Sequence, residues 1–251
     1  MDTPSDAGHR RLDELLVSRG LFATRSRARD AILRGAVRVD GEVARKAGQP
    51  VPPAAGIAVD DPAGRYVSRA ALKLVHGLDA FGLDPAGRVC FDIGASTGGF
   101  TQVLLERGAA HVFALDVGHG QLAPQLAADP RVTGLEGVNA RALGPSLGVH
   151  EPGMVVCDVS FISVRLALPP ALALAAAGAQ AVILVKPQFE VGREGVGKGG
   201  IVEPARAQAV AQELRGWLAG QPGWRAVGLV ASPIAGGDGN AEFLLGGVKD
   251  A

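Results

Sequence analysis

Apolar residues in the first sixty positions recur at helical spacing and then change to alternation. Leu12, Leu15 and Leu16 share one face of the run from Arg10 to Arg19, which predicts an amphipathic helix closed by Gly20. A second helix is expected from about Thr24 to Arg34, with Thr24 as its N-cap. It sets Arg25, Arg27, Arg29 and Arg34 around Ala28, Ile32 and Leu33. Val37 to Val39 and Glu42 to Arg45 flank Asp40-Gly41, a pair that supplies the positive φ angles of a tight hairpin. Gly56 to Val59 predicts one more short strand, and residues 60–66 read as a linker.

Beyond residue 66 apolar strands alternate with helices. A helix over 67–81 leads in, and strands follow at about 88–93, 111–116, 131–135, 154–158, 181–186, 225–231 and 242–247, with helices between most of them, including Pro204 to Ala219. Such alternation predicts an α/β domain on a doubly wound, mostly parallel, Rossmann-like sheet. Too few residues join the last two strands for a helix, so an antiparallel pair should close the sheet. Leu166 to Val185 is twenty residues long with Gln180 as its only polar side chain, which by length alone would suit a membrane span. Pro169, Pro170 and Gly178 interrupt it. The better reading is a helix from about Pro170 to Ala177, a turn, and a buried strand from Ala181 to Val185, with no membrane association.

Composition adds an asymmetry. The formal net charge is zero, yet residues 1–73 hold thirteen Lys or Arg against nine Asp or Glu, and residues 74–251 hold twelve against sixteen. A basic front suggests a polyanionic partner, with a solvated basic face as the alternative. Aromatic content is low, so Ala, Val and Leu must build the interior. Cys90 and Cys157 lie in apolar runs and read as buried thiols of a reducing compartment. His9, His76, His111, His119 and His150 lack ligand spacing, so no metal is expected. The N-terminus lacks the apolar stretch of a signal peptide; residues 1–9 are expected to be disordered and the protein cytoplasmic.

Candidate chemistry centres on the nine residues from Asp92 to Phe100, between a strand and a helix. Gly94, Gly98 and Gly99 let the backbone approach a ligand at the helix start, where free N–H groups favour an anionic group. Ser96 replaces the middle glycine of the dinucleotide pattern, and the acidic residue ahead of the turn suits S-adenosylmethionine, which offers a carboxylate and an ammonium. The loop alone leaves open a dinucleotide enzyme or a turn without ligand. Asp92, Asp116, Asp158 and Lys186 each close a strand, and Asp116 could accept from both hydroxyls of a ribose. Lys73 lies on the leading helix and Glu242 opens the last strand. Five Lys stand against twenty Arg, so a lysine at 73 or 186 hints at an amine able to lose its proton. Gly192 to Gly199 nearly spells a P-loop, but Gly199 stands where Ser or Thr would ligate magnesium. A glycine-rich lid over the ligand cleft, or a passive loop, explains that segment better.

These residues carry two resemblances. The helix, arginine-rich helix and hairpin over residues 10–59 resemble the small RNA-binding module of ribosomal protein S-four. The words from Tyr66 to Leu74, Asp92 to Phe100, Asp158 to Ser163, Val185 to Glu190 and Gly239 to Glu242 resemble the TlyA-type rRNA methyltransferases, often labelled hemolysin A, and more distantly the FtsJ or RrmJ ribose methyltransferases. This second resemblance spans nearly the whole chain. It implies an α+β S-four-type domain over 1–59, a class I methyltransferase sheet over 67–251, S-adenosylmethionine as methyl donor, and ribosomal RNA within ribosomal subunits as partner.

The implied reaction is methylation of a ribose 2′-hydroxyl, of a cytidine in 16S or 23S rRNA. By the same match Lys73, Asp158, Lys186 and Glu242 form a Lys-Asp-Lys-Glu tetrad. The donor site falls to Asp92, Gly94, Ser96, Gly98, Gly99, Phe100, Asp116, Val117 and Asn139, and RNA contacts to Arg10, Arg11, Arg25, Arg27, Arg29, Arg34, Arg65 and Arg69. Pro124 departs from an aromatic common in the family, which bears on the adenosine side of the donor site. Lys186 is the expected base: partial burial and a nearby Lys73 favour its neutral amine, whereas Asp158 and Glu242 oppose this. Lys73 would orient the ribose or its phosphate. Alignment can supply on the order of 7–11 kcal/mol, and a general base about 10²–10⁴-fold. Two rivals stand beside this reading, a membrane-lytic protein that would need Leu166 to Val185 as its span, and a non-catalytic RNA-binding assembly factor.

Overall fold

The computed structural model describes residues 8–144 and 151–251; His150 and residues 1–7 lie outside them. Two compact units divide between Gly64 and Arg65.

The first unit runs β1 (Arg10–Arg11), α1 (Leu12–Ser18), α2 (Arg25–Leu33), β2 (Val37–Val39), β3 (Glu42–Val43), β4 (Pro50–Val51) and β5 (Ile57–Val59). The first helix starts later than its periodicity predicts, because Arg10 and Arg11 pair antiparallel with Val51 and Pro50 and their backbone is extended. Thr24 caps α2 as expected, its hydroxyl accepting the Arg27 N–H at 3.3 Å. Leu33, however, turns outward; the face that packs on Leu12, Leu15 and Leu16 is Ala28, Ala31 and Ile32. Asp40 and Gly41 both adopt positive φ, 49° and 88°, and the hairpin β2–β3 closes over them. At the end of α2 the Arg34 guanidinium pairs with Asp30 and, at 2.8 Å, with Asp61, all in a largely dehydrated pocket.

The second unit runs α3 (Ala71–Phe81), β6 (Val89–Ile93), α4 (Gly99–Glu106), β7 (His111–Asp116), α5 (Pro124–Ala127), β8 (Val132–Glu136), β9 (Met154–Cys157), α6 (Val164–Ala167), α7 (Pro169–Leu174), β10 (Gln180–Val185), α8 (Pro204–Ala219), β11 (Trp224–Ala231) and β12 (Phe243–Lys249). Its strands form one sheet in the order β11-β12-β10-β9-β6-β7-β8, parallel except for β12, which is antiparallel to both neighbours. Alternate strand residues serve opposite layers. Phe91, Val155 and Ile183 pack with α7 and α8, while Cys90, Val156 and Leu184 pack with α3 and α4.

Two element boundaries differ from expectation for local reasons. The leading helix begins at Ala71, because the Ser68 hydroxyl accepts the Ala70 N–H and the Val67 N–H is taken by Gln102, which diverts both from a helical ladder. The apolar run Leu166 to Val185 divides among α6, α7 and β10, and Pro169 opens α7. Among the described residues no helix is long and apolar enough to cross a membrane.

Arg34 is therefore structural. Arg34→Ala removes the cation that Asp30 and Asp61 share and should destabilise the first unit by roughly 3 kcal/mol. Amide exchange across α2 and β2 in the full chain should accelerate strongly for Arg34→Ala and hardly for Arg29→Ala, whose side chain is exposed.

Candidate active site

The charged residues gather by a simple periodicity. Cys90, Val156 and Leu184 face α3 and α4, and two positions beyond each lies Asp92, Asp158 or Lys186. On β12, Leu244 marks the same face and Glu242 lies two positions before it. Val185 pairs with Phe243 and Ile93 with Cys157, so Asp158, Lys186 and Glu242 emerge together at the carboxyl edge of the parallel strands.

Side-chain contacts resolve the four expected catalytic residues into two ion pairs. The Lys186 ammonium lies 2.6 Å from Asp158 Oδ1, out of hydrogen-bond alignment, and donates to Ser160 Oγ at 2.8 Å. The Lys73 ammonium donates to Glu242 Oε2, with both side chains almost fully buried. Ser68, Ala70, Gly94, Ala95, Ser96, Thr97, Gly99, Phe100, Asp158, Ser160 and Lys186 line a cleft. Lys73 and Glu242 are not among the residues lining it; the Lys73 ammonium is paired with the Glu242 carboxylate.

The glycine loop is shaped by close approach. Gly94 has φ 85°, and a Cβ there would sit 2.6 Å from the Asp158 carbonyl oxygen. At Gly98, with φ 92°, a Cβ would meet Leu126 Cδ1 at 2.4 Å. Ser96, the non-glycine member, also adopts a left-handed φ of 47°. It is held there because its N–H donates to Asp116 Oδ2 at 2.8 Å and its hydroxyl to Gln121 Oε1 at 3.0 Å. Asp116 Oδ1 accepts the Gly118 N–H at 2.8 Å, so this carboxylate anchors the loop as well as standing at the expected ribose position. Val117 beside it leaves apolar surface exposed. Asn139 does not line the cleft; its Oδ1 accepts the Arg141 N–H at 3.0 Å and caps a single turn.

Asp92 is fully buried under the loop. Thr101 Oγ1 donates to its Oδ2 at 2.6 Å, and its Oδ1 has no hydrogen-bond partner. Burial pushes this carboxyl up to about 7; the Thr101 bond opposes the rise, and the charges of Asp158 and Asp116 add to it. Cys90 and Cys157 are free and buried, and burial pushes the Cys90 thiol up to about 12 and raises Cys157 likewise.

One residue beside the cleft escaped sequence reasoning. Phe161 is 91% exposed and holds a left-handed φ of 65°, with its ring 5.1 Å from that of Phe189. Left-handed backbone costs a non-glycine residue roughly 1–2 kcal/mol, so something other than core packing favours it. The available signal was an aromatic within a charged strand-end word of a chain poor in aromatics.

The arginines expected to meet RNA have unequal surroundings. Arg11 and Arg25 both pair with Asp13, at 3.1 Å each, yet remain about half exposed. Arg10, Arg27 and Arg29 are exposed, and Arg34 is spent on Asp30 and Asp61. Arg65 belongs to the second unit, stacked over Tyr66 at 4.7 Å and 3.6 Å from Glu106. Arg69 adjoins Ser68 and Ala70 of the cleft wall.

Residues 66–249 match the family model described as FtsJ-like methyltransferase, and residues 10–57 match that of the S4 domain. The 16S/23S rRNA (cytidine-2′-O)-methyltransferase TlyA of Mycobacterium tuberculosis is 48% identical over 94% of this chain and 88% of its own. The chain belongs to the TlyA-type, FtsJ-like methyltransferase family. Among other relatives of this TlyA-type methyltransferase, Hemolysin A of Brachyspira hyodysenteriae is 39% identical over 93% of this chain and 98% of its own. A solved structure from Streptococcus thermophilus that carries the hemolysin label superposes with a TM-score of 0.74 at 39% identity, covering 96% of this chain and 89% of that one.

The buried carboxyl of this TlyA-type chain makes a pH prediction. Its folded value near 7 exceeds the ordinary 3.8, so Asp92 favours folding most below about pH 4, and that contribution is lost as pH rises toward 7. The melting temperature of Asp92→Asn minus that of the parent should therefore grow from pH 5 to 7 and level off above. A difference that is flat with pH would contradict it.

Proposed function

We propose that this methyltransferase moves a methyl group from S-adenosylmethionine to a ribose 2′-hydroxyl of a cytidine in ribosomal RNA, in the cytoplasm, with the S4 unit holding the RNA. The observation that carries the reading is the Lys186 ammonium, set against Asp158 and Ser160 in the wall of the glycine-loop cleft. The TlyA relative named above carries the same reaction in its name.

The glycine loop that lines the cleft, with the residues beneath and beside it, fits the donor. Asp92 Oδ1 is a buried acceptor without a partner beneath the loop, which suits an ammonium. Free N–H groups at the start of α4 suit a carboxylate, and Asp116 with Val117 suits a ribose and the apolar face of an adenine. When bound, S-adenosylmethionine supplies an electrophilic sulfonium methyl. In its neutral amine form, having first lost a proton to solvent, Lys186 Nζ takes the proton of the 2′-hydroxyl, and its contacts with Asp158 and Ser160 fix where that nitrogen stands. The Lys73–Glu242 pair ties α3 to the start of β12 and, with Asp158 and Lys186, makes up the Lys-Asp-Lys-Glu tetrad of this reading. Phe161 offers an uncovered ring face on which a base drawn out of the RNA can stack. Arg10, Arg27 and Arg29 meet phosphates from the first unit, and Arg65 and Arg69 from the second.

Labelled S-adenosylmethionine and unmethylated ribosomal subunits test this directly. The wild-type chain should place label on a cytidine ribose, and absence of label from both subunits would sink the reading. Lys186→Ala should slow transfer by about 100-fold or more while leaving RNA affinity intact, which separates catalysis from mere binding. Arg29→Ala should weaken RNA binding at every sequence and reduce the slope of log affinity against log salt by about one.

A further inference from the structure

Two segments beside the cleft are joined by three successive rungs. Residues 158–164 follow β9 and residues 186–190 follow β10. The first rung is Lys186 with Asp158 and Ser160. The second is the ring contact of Phe189 with Phe161 at 5.1 Å. At the third, Glu190 Oε1 accepts the Val164 N–H at 2.8 Å and Oε2 accepts the Ser163 hydroxyl proton at 2.6 Å. Ser163 in turn accepts the Arg165 N–H at 3.1 Å and so caps α6. Glu190 is thus a carboxylate, partly withdrawn from water, whose two oxygens are both engaged by one loop. Burial raises its carboxyl, and the two bonds oppose the rise. Phe161 lies between the inner and outer rungs, exposed and in left-handed backbone that it would abandon were the loop free. The outer rung closes a short loop on itself, and a loop tied at both ends has few conformations left for its middle.

We propose that Glu190 is a positioning residue for the methyl-accepting nucleotide: by fastening Ser163 and Val164 to the turn that carries Lys186, it holds Phe161 in the orientation that receives the base. It acts through the loop and touches neither donor nor RNA. The inference rests on the reading that Phe161 stacks the target base, and the experiment separates the two.

Single-turnover methyl transfer to unmethylated subunits, at saturating donor and RNA, is measured for the full chain and for Glu190→Ala, Glu190→Gln, Phe161→Ala and the Glu190→Ala, Phe161→Ala double variant. Glu190→Ala should slow the step by about 10- to 100-fold, with donor affinity unchanged within about twofold. Glu190→Gln should recover most of the rate, because its carbonyl still accepts from Val164 and its amide can donate to the serine oxygen. In the Phe161→Ala background the loss on removing Glu190 should shrink to about threefold or less, an outcome that a merely structural role would not produce. Equal losses in both backgrounds, or a wild-type rate in Glu190→Ala, would overturn the role of Glu190. Should Glu190→Ala fail to fold, the same cycle with Ser163→Ala, which removes one of the two bonds, decides between the same outcomes. Wild-type transfer with no loss in Phe161→Ala would instead remove the stacking role, and absence of transfer by the wild type would remove the reaction itself.

Discussion

The ion pair between Lys73 and Glu242 is the constraint on which the second unit is built. Both charges have left water, each at a cost of several kcal/mol, and each is tolerable only while the other is present. They stand 169 positions apart, one on the leading helix and one at the mouth of the strand that closes the sheet. Helix α3 therefore cannot slide along β12 without stranding a charge. Its position is reinforced by Gly77, where a Cβ would come within 2.8 Å of Val182 on β10. What precedes α3 is fixed in consequence: Ser68 and Ala70 line the cleft, and Gly99 lies so near Ser68 that a Cβ would meet it at 2.9 Å. The start of α4, where a ligand's negative charge would rest, is thus located in part by the Lys73–Glu242 ion pair.

A second anchor comes from the opposite side of the loop. Asp116 receives N–H groups from Ser96 and Gly118, so one carboxylate gathers the first and second parallel strands' loops around itself. The site combines a rigid floor with one conspicuous exposed ring. Rigid floors suit a small, invariant donor, whereas an uncovered aromatic suits a substrate that must be drawn out of a larger structure before it can react.

Much of this was readable along the chain. The expected strand ends carried Asp92, Asp116, Asp158 and Lys186 to one edge of the sheet, and the family resemblance joined Lys73 and Glu242 to them. Pairing was not readable. Nothing local says that Lys73 pairs with Glu242 and Lys186 with Asp158, or that Asn139 caps its own turn. Ion pairs also reordered the arginines, since Arg34 looks as basic as Arg29 in sequence but spends its charge on Asp30 and Asp61. Charge counted in a sequence is an upper limit on charge offered to a partner. Leu33 fell on the wrong side of α2 because Ala28, Ala31 and Ile32 already complete the three-four spacing of its buried stripe.

The two thiols carry a practical corollary. Cys90 and Cys157 lie on adjacent central strands, facing opposite layers, and burial raises both thiols, which disfavours the thiolate that alkylating reagents require. The folded chain should therefore react poorly with maleimides. A single cysteine introduced on the outer face of α8 would then be the most reactive one among the described residues, and a fluorophore placed there could report the binding of a large partner without any prior removal of the natural thiols.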